Sequence, residues 1–485
     1  MKLFNDADRI KKDVLIHLIK AFDEDNLADE IDHIPIKMRP REMEASRCCT
    51  YKDRAVLKYR LMAALGFGIE DEADETILLR EYAKQAIERG KVSDKVISVL
   101  DVACEGCVDE RYVVTTSCHG CLARPCVSNC PKDAVEVHNS QAKIDHGKCI
   151  DCGKCMQVCP FHAIIRVPVP CEEACPVGAI FRTQSGKQEI NFDTCTSCGK
   201  CVTACPFGAV LERSHIIDVL AKIKDGVTVI PLVAPSIIGQ FQGTLHQVAE
   251  ALQKLGFANM EEVAFGAEET TKHESEEFIQ RMKKGENLMT SSCCPAYTET
   301  VKRHVPDLIS CLSEAYTPMK YCAAAVKQKA PKAVTVFIGP CIAKKTEALS
   351  DPNVDFVLTF EELNAWLEAK QIDVSLLDGI DIGRDAEGYA LGFATSCGVS
   401  AAVLSKLIES ENSKSENQIP PLDRKCINGL DKKALKQLKL YAAGKLPGNF
   451  LEVMSCEGGC VGGPCAIGKL QEATAAVKAI SATTD

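Results

Sequence analysis

The chain has 485 residues, a length that suggests about three domains and allows a large buried core. Its formal net charge of -10 argues against a nucleic-acid partner, whose phosphates would be repelled, and no apolar run approaches the ~20 residues that a membrane helix needs. The composition is otherwise ordinary except for cysteine, of which there are 28, with 18 of them before residue 206.

The opening segment MKLFNDADRIKKDVLIHLIKAF alternates charged and apolar residues and contains no secretory signal pattern. In a reducing compartment thiols bind metal more often than they pair as disulfides. We therefore expect a cytoplasmic protein with metal-bound cysteines and without a membrane partner.

The predicted fold class is α+β multidomain, in three parts. Residues 1–100 should form a helical region, because apolar residues recur at helical spacing in DVLIHLIKAF, RAVLKYRLMAALGFG and TILLREYAKQAIERG. Residues 101–213 have little periodicity and much Cys, Pro and Gly, which indicates a domain organised by something other than an apolar core. Residues 214–485 alternate β-branched runs with helical stretches, which predicts an α/β domain.

Five segments of this last part should each contain a strand followed by a helical stretch. They are VTVIPLVAPS, AVTVFIGPC, VDFVLTFEELNAWLEAK, YALGFATSCGVSAAVLSKLIE and NFLEVMSCEGGC. The polar run at residues 409–423 predicts a solvated loop, and KKALKQLKL at residues 432–440 predicts a charged helix.

Two segments in the cysteine-rich part share one spacing. Residues 149–160 read CIDCGKCMQVCP and residues 195–206 read CTSCGKCVTACP, each a CxxCxxCxxxCP run. In a tight loop this spacing directs three thiolates to one cubane [4Fe-4S] cluster, while the fourth reaches a neighbouring cluster. A zinc ribbon is the competing interpretation, but zinc-binding pairs lie far apart along a chain and lack the trailing CxxxCP.

A variant of this run, CHGCLARPCVSNCP, occupies residues 118–131 and pairs with the 149–160 run as a two-cluster ferredoxin unit. The predicted ligands of its first cube are Cys118, Cys121, Cys126 and Cys159. The predicted ligands of its second cube are Cys130, Cys149, Cys152 and Cys155.

Two incomplete motifs suggest a second unit around the first. CEGC at residues 104–107 has the opening CxxC of such a motif without the rest. CEEACP at residues 171–176 has the closing CxxxCP without the opening part. Nesting assigns a third cube to Cys104, Cys107, Cys171 and Cys205, and a fourth to Cys175, Cys195, Cys198 and Cys201. The arrangement resembles the four-cluster electron-transfer subunits of molybdopterin oxidoreductases. A zinc or purely structural role for Cys104 and Cys107 is the alternative.

Three more cysteine segments lie in the α/β part: TSSCCPAY, GPCIAKKTE and VMSCEGGCVGGPC. The second and third follow strand-like runs, so we expect them to meet at the carboxyl edge of an open sheet. Cys294, Cys341, Cys456 and Cys460 would supply four thiolates for one further cubane. Because they come from separate loops, that cluster should be enclosed.

These three segments resemble the L1, L2 and L3 signatures of [FeFe]-hydrogenases, with a match from about residue 227 to 466. The resemblance implies that the four thiolates hold the cubane of an H-cluster. It also implies that Cys460 bridges to a diiron unit bearing CO, cyanide and an azadithiolate. Cys293, next to the ligand Cys294, would then be the acid/base that exchanges protons with the bridging amine.

The resemblance extends to the surroundings of this cofactor. Lys344 matches the L2 lysine that would hydrogen-bond a cyanide, and VAPS matches the segment that places Pro235 and Ser236 around the other cyanide. Met454 matches a methionine beside the cluster. A solvated pair of Lys344 with Glu347 is the alternative for the lysine.

A proton relay from Cys293 to the surface is also implied by the family. Glu274, Glu277 and Arg281 share one face of a predicted helix, and Ser313 in CLSEAYTP completes the match. The alternative is that these glutamates form an ordinary helix surface.

The sequence departs from the best-known hydrogenases at several positions, and the departures resemble the group B branch of the family. They are Gly339 for a methionine, Met319 for a glutamine, Tyr297 for a tryptophan, Ser396 and Cys397 for paired glycines, and Cys465 at the end of L3.

The resemblance implies reversible H2 oxidation and proton reduction at an H-cluster, with electrons relayed by accessory [4Fe-4S] clusters, four in number, to or from ferredoxin. Maturation proteins would insert the diiron unit. Two alternatives remain open: an H2-sensing regulator with the same cofactor, and a non-catalytic NARF-like iron-sulfur protein without diiron chemistry.

Overall fold

The computed structural model describes residues 5–104, 107, 111–184, 186–383, 386–413 and 421–483. The N-terminal part is helical, as the apolar periodicity predicts. Its helices are α1 (Asp6–Asp23), α2 (Leu27–Glu30), α3 (Ile34–Met38), α4 (Thr50–Ala64) and α5 (Leu79–Glu88). The Asn5 side chain caps α1 by accepting the Asp8 N–H, and Leu18 and Ile19 on its inner face are fully buried.

The cysteine-rich part consists of very short elements. In chain order they are β1 (Ile97–Val99), β2 (Tyr112–Val114), α6 (Pro125–Ser128), β3 (Val135–His138), β4 (Gln141–Ile144), α7 (Lys154–Gln157), β5 (Ile164–Arg166), α8 (Pro170–Ala174), β6 (Ile180–Arg182), β7 (Gln188–Ile190), α9 (Lys200–Ala204) and β8 (Val210–Glu212).

These elements form one unit inserted in another. Strand β1 pairs antiparallel with β8 and encloses the whole region, while β2 pairs antiparallel with β5 and encloses the inner unit. Each unit holds a hairpin, β3–β4 in the inner and β6–β7 in the outer, between two short helices. The nested ferredoxin-like arrangement predicted from the split cysteine motifs is therefore present in the chain topology.

The remaining part is α/β. Its elements are α10 (Ile216–Lys224), β9 (Val229–Val233), α11 (Leu245–Lys254), β10 (Glu261–Glu262), α12 (Val263–Lys283), β11 (Met289–Thr290), α13 (Pro295–His304), α14 (Pro318–Lys329), β12 (Val334–Gly339), α15 (Ala343–Ala348), β13 (Phe356–Thr359), α16 (Phe360–Ala369), α17 (Gly388–Leu391), α18 (Gly398–Ser413), β14 (Arg424–Asn428), α19 (Lys432–Ala442), β15 (Phe450–Met454) and α20 (Leu470–Thr483).

The strands of this part form two parallel sheets, and the expectation of one open sheet is wrong. The first sheet has the order β10-β9-β12-β13 and the second has the order β11-β15-β14. Strand β12, before Cys341, and strand β15, before Cys456, therefore belong to different sheets. The cysteine loops still emerge from carboxyl ends of parallel strands, because both sheets direct those ends toward the same interior.

Four of the five predicted strands are present, as β9, β12, β13 and β15. The segment YALGFATS instead forms α17 and a short 3-10 turn before α18. A side chain at Gly398 would lie 2.0 Å from the Gly392 carbonyl oxygen, so this tight packing requires glycine there. The run predicted as a loop is helical up to Ser413, and residues 414–420 lie outside the described residues.

The main hydrophobic core joins the N-terminal helices to the first sheet, with Leu18, Leu220, Ile338 and Trp366 in one buried cluster. Charged residues cross the same boundary. Arg89, which follows α5, pairs at 2.5 Å with Asp218 of α10, and the Asp218 side chain is 3% exposed. The N-terminal helices are thus packed against the rest of the chain rather than tethered to it.

Within the part of the chain that the structure describes, no helix has the length and apolar character needed to cross a membrane.

Lys11 of α1 should contribute strongly to stability because it bridges Glu212 and Glu361, the latter at 2.5 Å, and the Glu212 side chain is 1% exposed. Replacing Lys11 with Met would leave a buried carboxylate without its counter-charge, and we expect the free energy of unfolding to fall by about 3–5 kcal/mol. Urea unfolding followed by circular dichroism measures this change.

The matched control is Lys12→Met, since Lys12 pairs with Glu368, whose side chain is half exposed. This change should cost at most about 1 kcal/mol. Equal losses for the two variants would contradict a structural role for the buried pair.

Candidate active site

Three loops converge where the two parallel sheets meet. Cys294 caps α13 just after β11, Cys341 follows β12, and Cys456 follows β15. Cys460 begins a 3-10 turn that is preceded by Gly459 with a φ of 90°. A side chain at Gly459 would lie 2.6 Å from the Ser396 backbone, so glycine is required for this loop to pack.

The four thiols are close enough to influence one another. Burial raises the pKa of Cys341 to about 12, and the charges of Cys294 and Cys460 raise it further. Burial also raises the pKa of Cys456, with contributions from Cys341, Cys294 and Cys460. The structure thus brings together the four cysteines predicted as ligands, although three separate loops carry them.

A cavity of about 60 Å³ adjoins this group of thiols. The six predicted residues that line it are Pro235, Ser236, Cys293, Lys344, Met454 and Cys460. Cys460 is the most exposed of the four cysteines and lines this cavity, and desolvation still raises the pKa of its thiol to about 12.

Two polar groups in the cavity wall are suited to hold a ligand. Ser236 is fully buried, and its hydroxyl has no hydrogen-bond partner among the described residues. The Lys344 ammonium pairs with Glu347 at 2.6 Å, and both side chains are buried, so the pair is not the solvated one considered above. Burial opposes the charge on Lys344, but Glu347 and the nearby thiols raise its pKa overall.

The residues of the predicted relay lie together on one side of Cys293. The Glu274 carboxylate accepts the Ser292 N–H at 3.2 Å and is fully buried, so it is not part of an ordinary helix surface. The Ser313 hydroxyl lies near Glu274 and donates to Glu277 at 2.9 Å. Arg281 pairs with the same Glu277 at 2.6 Å.

Burial raises the pKa values of Glu274 and Cys293. The pKa of Glu274 rises to about 8 because the carboxyl is desolvated, and the charge of Glu277 adds to the shift. The pKa of the Cys293 thiol is also raised, first by burial and then by the charge of Glu274. Desolvation in this way keeps acids protonated near neutral pH, where they can donate protons.

Glu452 is a buried carboxyl that the sequence interpretation missed. It lies in β15, accepts the N–H groups of Cys397 and Ser400 at 2.8 Å, and has its pKa raised to about 7 by burial. Its charge raises the pKa of Cys293. In the sequence, this buried carboxyl is indicated only by the presence of one glutamate in the otherwise apolar run FLEVM.

The structure shows the surroundings of several positions that depart from the best-known hydrogenases. A side chain at Gly339 would lie 2.5 Å from the Phe337 ring, so a larger residue fits there only if Phe337 moves. Met319 lines the cavity, and the buried Tyr297 hydroxyl donates to Thr290 at 2.9 Å. Cys397 is disulfide-bonded to Cys426.

Cys465 lies outside this site. It is buried near Glu212, Glu361 and Lys11, whose charges affect its pKa after burial.

The predicted accessory ligands are also grouped in space. One cavity is lined by Cys118, Cys121, Cys126 and Cys159, and another by Cys175, Cys195, Cys198 and Cys201. Burial raises the pKa of Cys171 to about 12, with contributions from Cys205, Cys107 and Cys104. The pKa of Cys155 is raised by burial and by Cys149 and Cys152, while Cys130 lies in the same inner unit.

The four loops share one detail of backbone geometry. In each CPxxA segment the alanine N–H donates to the sulfur of the cysteine four residues earlier, at 3.2 to 3.4 Å. The sulfurs are those of Cys130, Cys159, Cys175 and Cys205. Hydrogen bonds to sulfur are a feature of iron-sulfur sites, so the four loops are equivalent candidates for binding clusters.

Fold and site together define an iron-sulfur protein in which a nested ferredoxin-like region adjoins an enclosed thiol site. The family model described as "Iron only hydrogenase large subunit, C-terminal domain" matches residues 227–464. Models for a "4Fe-4S binding domain" and a "4Fe-4S dicluster domain" match residues 142–165 and 170–209.

Two relatives extend the comparison to about two thirds of the chain. The periplasmic [Fe] hydrogenase large subunit of Nitratidesulfovibrio vulgaris is 32% identical over 375 residues, covering 66% of this chain and 85% of the relative. Iron hydrogenase 1 of Clostridium pasteurianum is 28% identical over 399 residues, covering 69% of this chain and 66% of the relative. Among solved structures, the apo [FeFe]-hydrogenase of Chlamydomonas reinhardtii matches at 23% identity and TM-score 0.47. The match covers 54% of this chain and 88% of the solved chain.

The chain therefore belongs to the iron-only hydrogenase large-subunit family. This membership supports a hydrogenase-type oxidoreductase of hydrogen metabolism with an iron-sulfur electron relay.

Glu274 should be protonated at neutral pH. With a pKa of about 8 against the ordinary value of about 4.3, about nine tenths of the carboxyl groups carry the proton at pH 7. A difference infrared spectrum between the wild type and Glu274→Gln should contain the C=O stretch of a protonated carboxyl, which fades as the pH rises through 8.

The same shift affects stability, because the folded chain binds this proton more tightly than the unfolded chain. The contribution of this Glu274 proton to the free energy of unfolding is full below about pH 4 and is lost as the pH rises through 8.

Glu276→Gln, at an exposed position on the same helix, is the control for the infrared experiment and should show no protonated-carboxyl band. Absence of the band in the Glu274 comparison at pH 7 would show that the carboxyl is ionised.

Proposed function

We propose that this protein interconverts H2 with protons and electrons at an H-cluster held by Cys294, Cys341, Cys456 and Cys460. The observation that carries the proposal is the cavity in which Cys293, Lys344 and Ser236 meet the sulfur of Cys460. Four soft sulfur donors stand beside an unpartnered buried hydroxyl and a buried ammonium. These residues fit a cubane joined to a diiron unit with polar diatomic ligands.

The H-cluster supplies, when bound, the iron site at which H2 is split heterolytically. The protein's own residues hold and surround it. Lys344 and Ser236 would hydrogen-bond the ligands of the diiron unit, while Pro235 and Met454 provide apolar packing around it. Cys460 would retain the diiron unit through its sulfur.

Proton transfer is assigned to the relay that begins at Cys293. The thiol would exchange a proton with the site, and the buried Glu274 would receive it. Ser313, whose hydroxyl donates to Glu277, would link Glu274 to Glu277, and the Arg281–Glu277 pair would lead toward the surface. A pKa of about 8 for Glu274 suits a carrier that both binds and releases protons near neutrality.

Electrons are proposed to enter from the other side of the site. The charge of Cys198 raises the pKa of Cys456, so the outer ferredoxin-like unit is the nearer one. We assign four accessory [4Fe-4S] clusters to the sixteen grouped cysteines, on the support of the four equivalent N–H to sulfur contacts. A ferredoxin or similar carrier would exchange electrons with this relay.

The remaining parts of the proposal concern the cell. Maturation proteins would supply the diiron unit, and a cytoplasmic location would keep the predicted ligand cysteines reduced. Reversibility of the reaction is proposed from the family resemblance.

The test is infrared spectroscopy of protein produced with the hydrogenase maturation enzymes, together with H2 evolution from reduced methyl viologen. The wild type should show metal-bound CO and cyanide bands and evolve H2. Cys293→Ala should keep the bands but lose about 10²- to 10⁴-fold in turnover, because a positioned proton donor is removed. Cys460→Ala should lose the bands.

Cys322→Ala serves as the matched control, since this buried cysteine lies on α14 outside the thiol group. It should leave bands and turnover unchanged. A wild type without CO and cyanide bands would contradict the hydrogenase proposal and favour the NARF-like alternative. Full activity in Cys293→Ala would remove this residue from the relay.

A further inference from the structure

The inner ferredoxin-like unit presents an apolar surface beside one group of thiols. Leu122, in the loop between Cys121 and Cys126, is 96% exposed, and Phe161 is 47% exposed. The Phe161 ring packs on His119, with centroids 4.6 Å apart. Both rings line the cavity formed by Cys118, Cys121, Cys126 and Cys159. We call this surface, made of His119, Leu122 and Phe161, the 119–161 face.

The segment that carries this face differs in charge from the rest of the protein. Over the whole chain, 67 acidic residues outnumber 57 Lys and Arg residues. Residues 111–168 reverse this balance with seven basic and four acidic residues. The basic residues are Arg111, Arg124, Lys132, Lys143, Lys148, Lys154 and Arg166, and the acidic ones are Asp133, Glu136, Asp145 and Asp151.

Much of this positive charge is available to a partner. Arg124, Lys132, Lys143 and Lys154 are exposed, and none of them forms an ion pair with another described residue. Arg124 lines the same cavity as His119 and Phe161, so this charge stands beside the 119–161 face. The surface therefore combines exposed apolar side chains with a positive rim.

The Cys118 group is more accessible to another protein than the Cys175 group of the outer unit. In the Cys118 group only Cys126 is buried, whereas both Cys175 and Cys201 are buried in the outer group. The outer unit also packs on the α/β part, where Gly199 contacts Ile342 and Pro464. An electron carrier can thus approach the inner unit without displacing any described contact to the catalytic part.

We propose that the 119–161 face docks a small acidic protein that carries a one-electron centre near its own surface. This inference rests on the proposed function, because it assumes that the Cys118 group holds an iron-sulfur cluster. Leu122 and Phe161 provide the apolar centre of the interface, and the basic residues around them attract the acidic partner. The complementary charges speed the encounter and set the orientation.

The experiment uses the matured full-length enzyme and, as the probe, an acidic bacterial 2[4Fe-4S] ferredoxin. H2 evolution is measured with reduced ferredoxin and, separately, with reduced methyl viologen, and ferredoxin binding is measured directly by calorimetry. Leu122→Ser combined with Arg124→Glu should lower kcat/KM for ferredoxin at least about tenfold and weaken binding to a similar degree. The rate with methyl viologen should stay within about twofold, since this small molecule needs no docking surface.

Leu376→Ser combined with Lys433→Glu is the matched control. Leu376 is 79% exposed and Lys433 is also exposed, but both lie in the α/β part. This variant should behave as the wild type with both donors. Ferredoxin-dependent activity of the wild type should also fall as salt increases, because the steering charges are screened.

Unchanged ferredoxin kinetics and binding in the 122/124 variant would overturn the docking proposal, as would an equal loss in the control. Self-association of the wild type that is abolished in the 122/124 variant would also overturn it, since a second copy would then occupy the face. Lack of H2 evolution with methyl viologen, with ferredoxin binding still lost in the 122/124 variant, would refute the proposed function and leave the docking face in place.

Discussion

Groups of thiolates cannot be buried together unless a cation compensates their charge. Burial raises the pKa of Cys171, Cys341 and Cys460 to about 12, and neighbouring sulfur charges contribute in each case. Because the thiolate is the form that binds metal, iron would release the protons and supply the missing positive charge. Cluster binding and folding are therefore expected to be coupled, above all between β1 and β8, where strands of three or four residues have little stability of their own.

Local constraints explain what could be predicted from the sequence. The spacing of CxxCxxCxxxCP is fixed by a single loop, so the nested ferredoxin-like region follows from the order of its cysteines. The apolar periodicity of α1 and α4 predicts the N-terminal helices in the same way. The resemblance of three short segments to the hydrogenase signatures also predicts four candidate ligands, and the structure brings these four cysteines near one another.

Contacts distant in sequence explain what could not be predicted. Strand β11 has two residues, too few for a pattern, and its pairing with β15 is what separates the second sheet from the first. Glu452 is held by backbone groups more than fifty residues away, and its role beside the site depends on that packing. The pairing of Cys397 with Cys426 likewise depends on tertiary structure, because the chain has 28 cysteines that could pair in many ways.

Iron-edge anomalous diffraction from protein reconstituted with [4Fe-4S] clusters, but not exposed to the maturation enzymes, would test the central claim most directly. The account predicts a cubane-sized iron peak enclosed by Cys294, Cys341, Cys456 and Cys460, with accessory peaks in the four cysteine groups of the nested region. Accessory peaks without iron among those four cysteines would contradict it.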